Sequence, residues 1–256
     1  MLRTWLTLAL LLASAAWGQA LVYSADSMVN ASNYTPGPFA PNSVVSIFGS
    51  GLARSSQGLT ADAIINNTLP VELNSTRVYV MDSPAPLLYV SDGQVNFLVP
   101  GNQLDGDVKI RVVREGVTGP EITVTLVDGA PALFQTAAGY AIAAHLDNSA
   151  IEPGAPAQAG ETIVVYACGL GRTQPNPAPG VIPQNAAVIQ RLSDLKVYLG
   201  GTAIDPATIL YAGLTPGSAG LYQINLVLPA SLETDPEIRV AIADQSSPAG
   251  LKLAVQ

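Results

Sequence analysis

Few residues in this chain are equipped for chemistry. His145 and Cys168 are the single histidine and single cysteine of 256 residues, so a zinc centre of the usual His/Cys type cannot be assembled within one chain. A serine or cysteine nucleophile needs a base, most often histidine. His145 sits in AIAAHLDNSA with no motif around it and reads as a surface or edge-strand residue, while Cys168 closes the apolar run TIVVYAC and reads as a buried small hydrophobe. Glycoside hydrolysis needs two carboxylates facing one bond. The candidates are scattered: Asp92 precedes Gly93, Asp147 precedes Asn148, and Asp105 and Asp107 flank Gly106, all turn sequences. Asp105 and Asp107 could contribute to a calcium site with Asn102, but the EF-hand spacing is absent. Gly49-Ser50-Gly51 and Gly169-Leu170-Gly171 lack the phosphate-loop pattern and predict tight turns or bulges. The expectation is a chain with no catalytic residue, no metal ligand set and no cofactor.

The most distinctive polar feature is a repeated Gln-x-Asn: Gln94 with Asn96, then Gln223 with Asn225. Strand alternation puts both amides of each pair on one face and Val95, Phe97, Ile224 and Leu226 on the other. Such a ladder could bind a polar ligand, but the favoured expectation is structural, with the amides hydrogen-bonded to the backbone of neighbouring loops. A sugar platform would need exposed rings. Tyr34, Tyr140 and Tyr222 are the candidates for exposed contacts, and the Pro-rich stretch 171–184 is long enough either to carry a binding surface or to act as a rigid spacer.

These residues sit in a chain with an address at its front. Residues 1–20, MLRTWLTLALLLASAAWGQA, carry one Arg, an apolar run and a small-residue end, the pattern of a secretory signal peptide cut after Gly18 or Ala20. The run is shorter than the roughly 20 residues needed to span a bilayer, and no later segment is long and apolar enough to do so. Both tryptophans, Trp5 and Trp17, lie in this leader. The whole chain carries a net charge of −8; without Arg3 it has 10 Lys and Arg against 19 Asp and Glu, or −9. That sign repels a phosphate backbone, so nucleic acid is not an expected partner. With one cysteine, no disulfide supports a monomer, and the hydrophobic 48% of the chain must do so.

The positioning elements read as strands. After residue 20, Pro and Gly interrupt the chain too often for long helices. Val108, Ile110 and Val112, Ile122, Val124 and Leu126, and Ile238, Val240 and Ile242 alternate with polar neighbours. Further strands are expected at 44–48, 76–81, 87–90, 94–99, 162–168, 194–199, 208–212, 221–228 and 250–255, and a short helix is allowed only at 184–195. The chain also resembles itself. VVSIFGSGL at 44–52 aligns with TIVVYACGL at 162–170, Val78-Tyr79 with Val197-Tyr198, Leu88-Tyr89 with Leu210-Tyr211, QVNFLVP at 94–100 with QINLVLP at 223–229, and IRV at 110–112 with IRV at 238–240. The order is kept and the offset shifts only between strands, the mark of a duplicated unit with loop insertions. The prediction is therefore all-β: two tandem immunoglobulin-like antiparallel β-sandwiches, 21–129 and 130–256, joined by so short a link (127–134) that they pack closely or hold a fixed angle.

Five segments carry a family resemblance: VNASNY at 29–34, APNSVVSIFGSGLA at 40–53, APLLYVSDGQVNFLVP at 85–100, PGAPAQAGETIVVYACGLG at 153–171 and YAGLTPGSAGLYQINLVLP at 211–229. In these the chain resembles the uncharacterised C-terminal domain family of secreted proteins of Solibacter-type soil bacteria. VVSIFGSGLA is also similar to the opening of TIG (IPT) immunoglobulin-like domains. The resemblance implies an exported module with no established activity. The expected function is non-catalytic: a structural, adhesion or protein-interaction module, secreted to the cell envelope or beyond, whose partner is a protein or an extracellular polymer. The alternative is an extracellular carbohydrate-binding module, with a cofactor-free hydrolase a distant third.

Overall fold

A computed structural model describes residues 19–256; the leader read at 1–20 therefore lies outside the described residues except for Gln19 and Ala20. The chain is all-β, built from four antiparallel sheets, two in each half, the arrangement expected of immunoglobulin-like sandwiches. In the first half one five-stranded sheet runs Met28–Asn30, Val44–Phe48, Gln94–Leu98, Leu87–Val90, Gln57–Gly58, and the other, also five-stranded, runs Ile122–Leu126, Gly106–Arg114, Thr76–Val80, Ser83–Ala85, with Val117–Thr118 paired to Gly106–Arg114. The second half repeats the plan. Thr162–Cys168 pairs with Tyr222–Val227, which pairs with Ile209–Leu214, and Leu195–Leu199 pairs with Ile238–Ile242 in the smaller sheet.

Period-two alternation builds each core. Val45, Ile47, Val95 and Phe97 face Val78, Val80, Ile110 and Val112 in one apolar cluster that draws on residues 21–126, and a second cluster draws on residues 133–255. Each fully buried Val, Leu, Ile or Phe contributes roughly 1.5–3 kcal/mol relative to exposure. Both halves also carry the same irregularity: the ladder slips a register between Leu87 and Tyr89, and again between Ile209 and Tyr211.

Two expected elements differ. Residues 250–255 form isolated bridges instead of a strand, because Leu251 and Leu253 bond the 236–238 segment while Lys252 and Ala254 bond Ala141 and Ala157 across the sandwich. Alternating between two partners prevents a continuous ladder. The 184–195 stretch holds the strand Ala187–Ile189 and a single 3-10 turn, Leu192–Asp194, in place of a longer helix.

A third apolar cluster crosses the halves: Leu69, Leu98 and Ile182, with Val44, Leu59, Leu88 and Ala219 packed on it. Backbone bonds reinforce it, from Leu69 N to Gly180 O and from Ile182 N to Asn67 O. Arg172 then ties the join, donating to Asp128 at 2.8 Å and Asp105 at 2.9 Å and to the Gln103 carbonyl at 2.5 Å. The Pro-rich 171–184 stretch is thus part of the joint between the halves, held by its own backbone.

Candidate functional site

The repeated amides lie on the outer faces of the sheet that holds Val44–Phe48 in the first half and of the larger sheet in the second. Alternation turns Val95, Phe97, Ile224 and Leu226 into the cores and leaves Gln94, Asn96, Gln223 and Asn225 half-buried on the opposite side. In each pair the Gln Nε2 donates to the Asn Oδ1 two residues on, at 2.8 Å for Gln94–Asn96 and 2.9 Å for Gln223–Asn225. The partners are therefore each other, together with the Ser46 hydroxyl, which donates to Asn96 at 2.9 Å. This corrects the expectation that loop backbones would take these amides: adjacent same-face side chains on one strand are close enough to pair locally, before any loop is reached.

Registration adds a ring that the sequence reading did not connect with the amides. Phe48 stands opposite Gln94, and Tyr166 opposite Gln223. Tyr89 and Tyr211 stand opposite Asn96 and Asn225 on the far side. The signal was present, since Phe48 aligns with Tyr166 and both Tyr89 and Tyr211 lie in matched segments, but only the strand pairing shows that ring and amide are neighbours. In the first half the strip is extended by Tyr34, 62% exposed, whose ring lies 6.3 Å from that of Phe48. Tyr34 adopts φ 59°, an uncommon value for a bulky residue. Asn30 and Asn33 hold the turn, their side-chain oxygens accepting from Ser32 and Thr35. In the second half Ile142, 40% exposed, immediately precedes the strand Ala143–His145 and lies beside Tyr166, its carbonyl accepting from Tyr166 N.

The other tyrosine candidates are not free platforms. Tyr222 is fully buried and donates to the Gly171 carbonyl, its hydroxyl pKa raised by burial. Its place in the alternation with Ile224 and Leu226 puts it on the dry face. Tyr140 is half-buried and donates to Asp235 at 2.8 Å.

The remaining candidates are each tied down. Cys168 is buried and its Sγ accepts from Val44 N; loss of hydration pushes its thiol up to about 11. His145 closes the strand Ala143–His145 with Nδ1 2.5 Å from Glu161 Oε1, and that hydrogen bond raises its pKa. Asp92 accepts from Gly51 N, Asp147 from Ser149, Asp107 from Thr125, and Asp105 is paired with Arg172. Among the described residues no group of three His, Cys, Asp or Glu is placed to hold a metal ion. No helix among them is long and apolar enough to cross a membrane.

A further hollow of about 380 Å³ opens on the smaller sheet of the second half, lined by Tyr198, Gly201, Glu237, Arg239, Ala241 and Ser246.

No protein-family model matches the chain, and no curated protein matches it. Among solved structures it is similar to the SGBP-B protein of a Bacteroides ovatus mixed-linkage glucan utilization locus, in complex with a mixed-linkage heptasaccharide, at 11% identity and a TM-score of 0.32, over 87% of this chain and 44% of that one. It is similar to the surface glycan-binding protein PbSGBP-B of Prevotella bryantii at 13% identity and a TM-score of 0.29, over 91% and 42%. Tandem Ig repeats of Dlar match at 14% identity and a TM-score of 0.21, over 85% and 91%. The chain spans less than half the length of the two glycan-binding proteins.

Proposed function

We propose that this chain is an extracellular, non-catalytic glycan-binding module whose contact surfaces are the two ring-and-amide strips. One observation carries the reading. In both halves the Gln Nε2 to Asn Oδ1 bond uses one donor and one acceptor, and it turns out the Gln Oε1 as acceptor and the Asn Nδ2 as donor beside a half-buried ring. An acceptor and a donor held side by side match the vicinal hydroxyls of a sugar, and the ring face supplies apolar contact for its C–H surface. The turn that keeps the Tyr34 ring exposed at positive φ supports the same reading. The fixed joint between the halves favours the second reading, a structural or adhesive module, because a rigid two-unit body serves as a spacer.

Pull-down on insoluble cellulose, xylan and β-glucan separates the two. Retention by at least one polymer is expected, reduced about tenfold in affinity when Gln94→Ala and Gln223→Ala are combined. Each amide is half-exposed, so thermal stability should change by only about 0.5 kcal/mol. Failure to bind any of these polymers, with folding intact, leaves the spacer reading in place.

A further inference from the structure

We infer that the hollow on the smaller sheet of the second half is a separate binding site for a neutral pyranose ring. The class of ligand rests on the glycan-binding reading above, but the site is different and so are its residues.

Its case begins with a pair that duplication placed twice. Tyr79 stands opposite Arg111 in the first half and Tyr198 opposite Arg239 in the second. In the first half the pair is closed. The Arg111 guanidinium lies 4.9 Å from the centre of the Tyr79 ring, it donates to the Met81 carbonyl, and Asp82 and Glu121 each approach it to 3.7 Å. In the second half the pair is open. Arg239 is drawn toward the neighbouring hairpin, donating from Nη2 to Ser246 Oγ at 2.9 Å and from Nε to the Ser247 carbonyl at 3.3 Å. Among the described residues no carboxylate lies within ion-pair distance of it. The floor also differs: Ala241 is paired with Lys196 where Val113 is paired with Arg77. The smaller side chain and the displaced guanidinium together open the space of about 380 Å³, within the range of roughly 300–1,000 Å³ typical of small-molecule sites.

The chemistry of the walls selects the ligand. A guanidinium has five N–H donors in one plane, and two of the five on Arg239 are engaged. Glu237 binds Gly250 N through Oε1 at 2.9 Å, which leaves Oε2 as an acceptor. The Tyr198 ring supplies the apolar face. A donor fork, a carboxylate acceptor and a ring suit a molecule with hydroxyls around its edge and C–H groups on its face. Because Arg239 and Glu237 carry opposite charges, a uronate would meet Glu237 and an amino sugar would meet Arg239. The net charge of the chain, −8, adds to the disfavour of anions.

The test is residue-resolved NMR on the isotope-labelled chain titrated with cellohexaose, xylohexaose, laminarihexaose and hexagalacturonate. A neutral oligosaccharide is expected to shift the Arg239 side-chain N–H signal and the backbone amides of Tyr198, Arg239 and Ser246. Ala241→Val, which gives the floor the side chain used in the first half, should weaken that binding about tenfold, and Val113→Ala should leave it unchanged. Tyr198→Leu serves as a second variant and should do the same as Ala241→Val. Shifts confined to the Gln94, Asn96, Gln223 and Asn225 side-chain amides would overturn this site and leave the strips standing. Tighter binding of hexagalacturonate would overturn the neutral class, and no shift with any of the four would overturn both readings.

Discussion

The two halves keep their inward faces alike and part company on their outward ones. On the sheets that carry the amides, Val44, Leu98 and Leu88 of the first half are covered by Ile182 and Ala219 of the second, whereas the aligned Thr162, Val227 and Leu210 have no such cover and Leu210 is 60% exposed. On the opposing sheets, one tyrosine–arginine pair is stacked and ion-paired and the other lines a hollow. One strand end is the exception among the inward positions: Arg114 is fully buried where the second half has Ile242. Arg114 donates to the Gly51 carbonyl and, at 2.6 Å, to that of Gln19, while Ile242 packs against Gly129. Each clamps the incoming chain of its own half, one by hydrogen bonds and the other by apolar contact. A duplicated core tolerates little change because its side chains must still interdigitate; outer positions are free to gain or lose partners.

The largest test of this contrast is Arg114→Ala. It orphans two carbonyls and leaves a void, so urea unfolding should show a loss on the order of 3 kcal/mol or more, against about 1 kcal/mol for Ile242→Val. Equal losses would show that the two clamps are equivalent. Next come Gly51→Ala and Gly169→Ala. Both glycines sit at positive φ, 72° and 75°, directly beneath the incoming carbonyls of Ala20 and Ala130. A Cβ at either strikes backbone oxygen, and calorimetry should show losses of about 1–3 kcal/mol for each. Their similarity would sharpen the view that the entry to each half is a shared device.

A smaller effect is expected from the chain start. A protein beginning at Leu21 lacks the Gln19 carbonyl that Arg114 uses, and should be less stable than one beginning at Gln19 by about 1–2 kcal/mol. Identical melting of the two would remove Gln19 from the clamp. The smallest effect concerns His145, which has no histidine counterpart in the first half. Its pKa is raised above the ordinary value of about 6.5, chiefly by the hydrogen bond to Glu161. The folded state therefore holds the proton more tightly than the unfolded one, and this contribution is complete below about pH 6.5 and lost as pH rises through the raised value. The melting temperature should fall slightly over that interval, and His145→Gln should flatten the profile.

Much of the scaffold was legible because strands write their burial with period two. Val108, Ile110 and Val112 announced a dry face, as did Ile238, Val240 and Ile242, and the placement of each Gln-x-Asn on the wet side followed from the same rule. Tyr222 obeys that alternation too: its register with Ile224 and Leu226 puts it on the dry face, and this, not its hydroxyl, decides that it is no exposed contact. Residues 250–255 look like a strand and are not one, since extended backbone is a local property whereas a ladder needs one continuous partner. Arg114 ends an alternating strand as an ordinary charged residue would; its carbonyl partners lie 63 and 95 positions away, beyond any local pattern.

The sequence by itself determined the all-β character, the repeat of the two halves and the side of the sheet on which the amides stand, because these depend on side-chain alternation and on similarity within one chain. Tertiary structure alone decided that Phe48 and Tyr166 stand beside those amides, that the 171–184 stretch is committed to the joint, and that Arg239 faces a hollow while Arg111 does not. Those outcomes depend on register and on small differences in volume, Ala241 against Val113, between strands that are distant along the chain and adjacent in space.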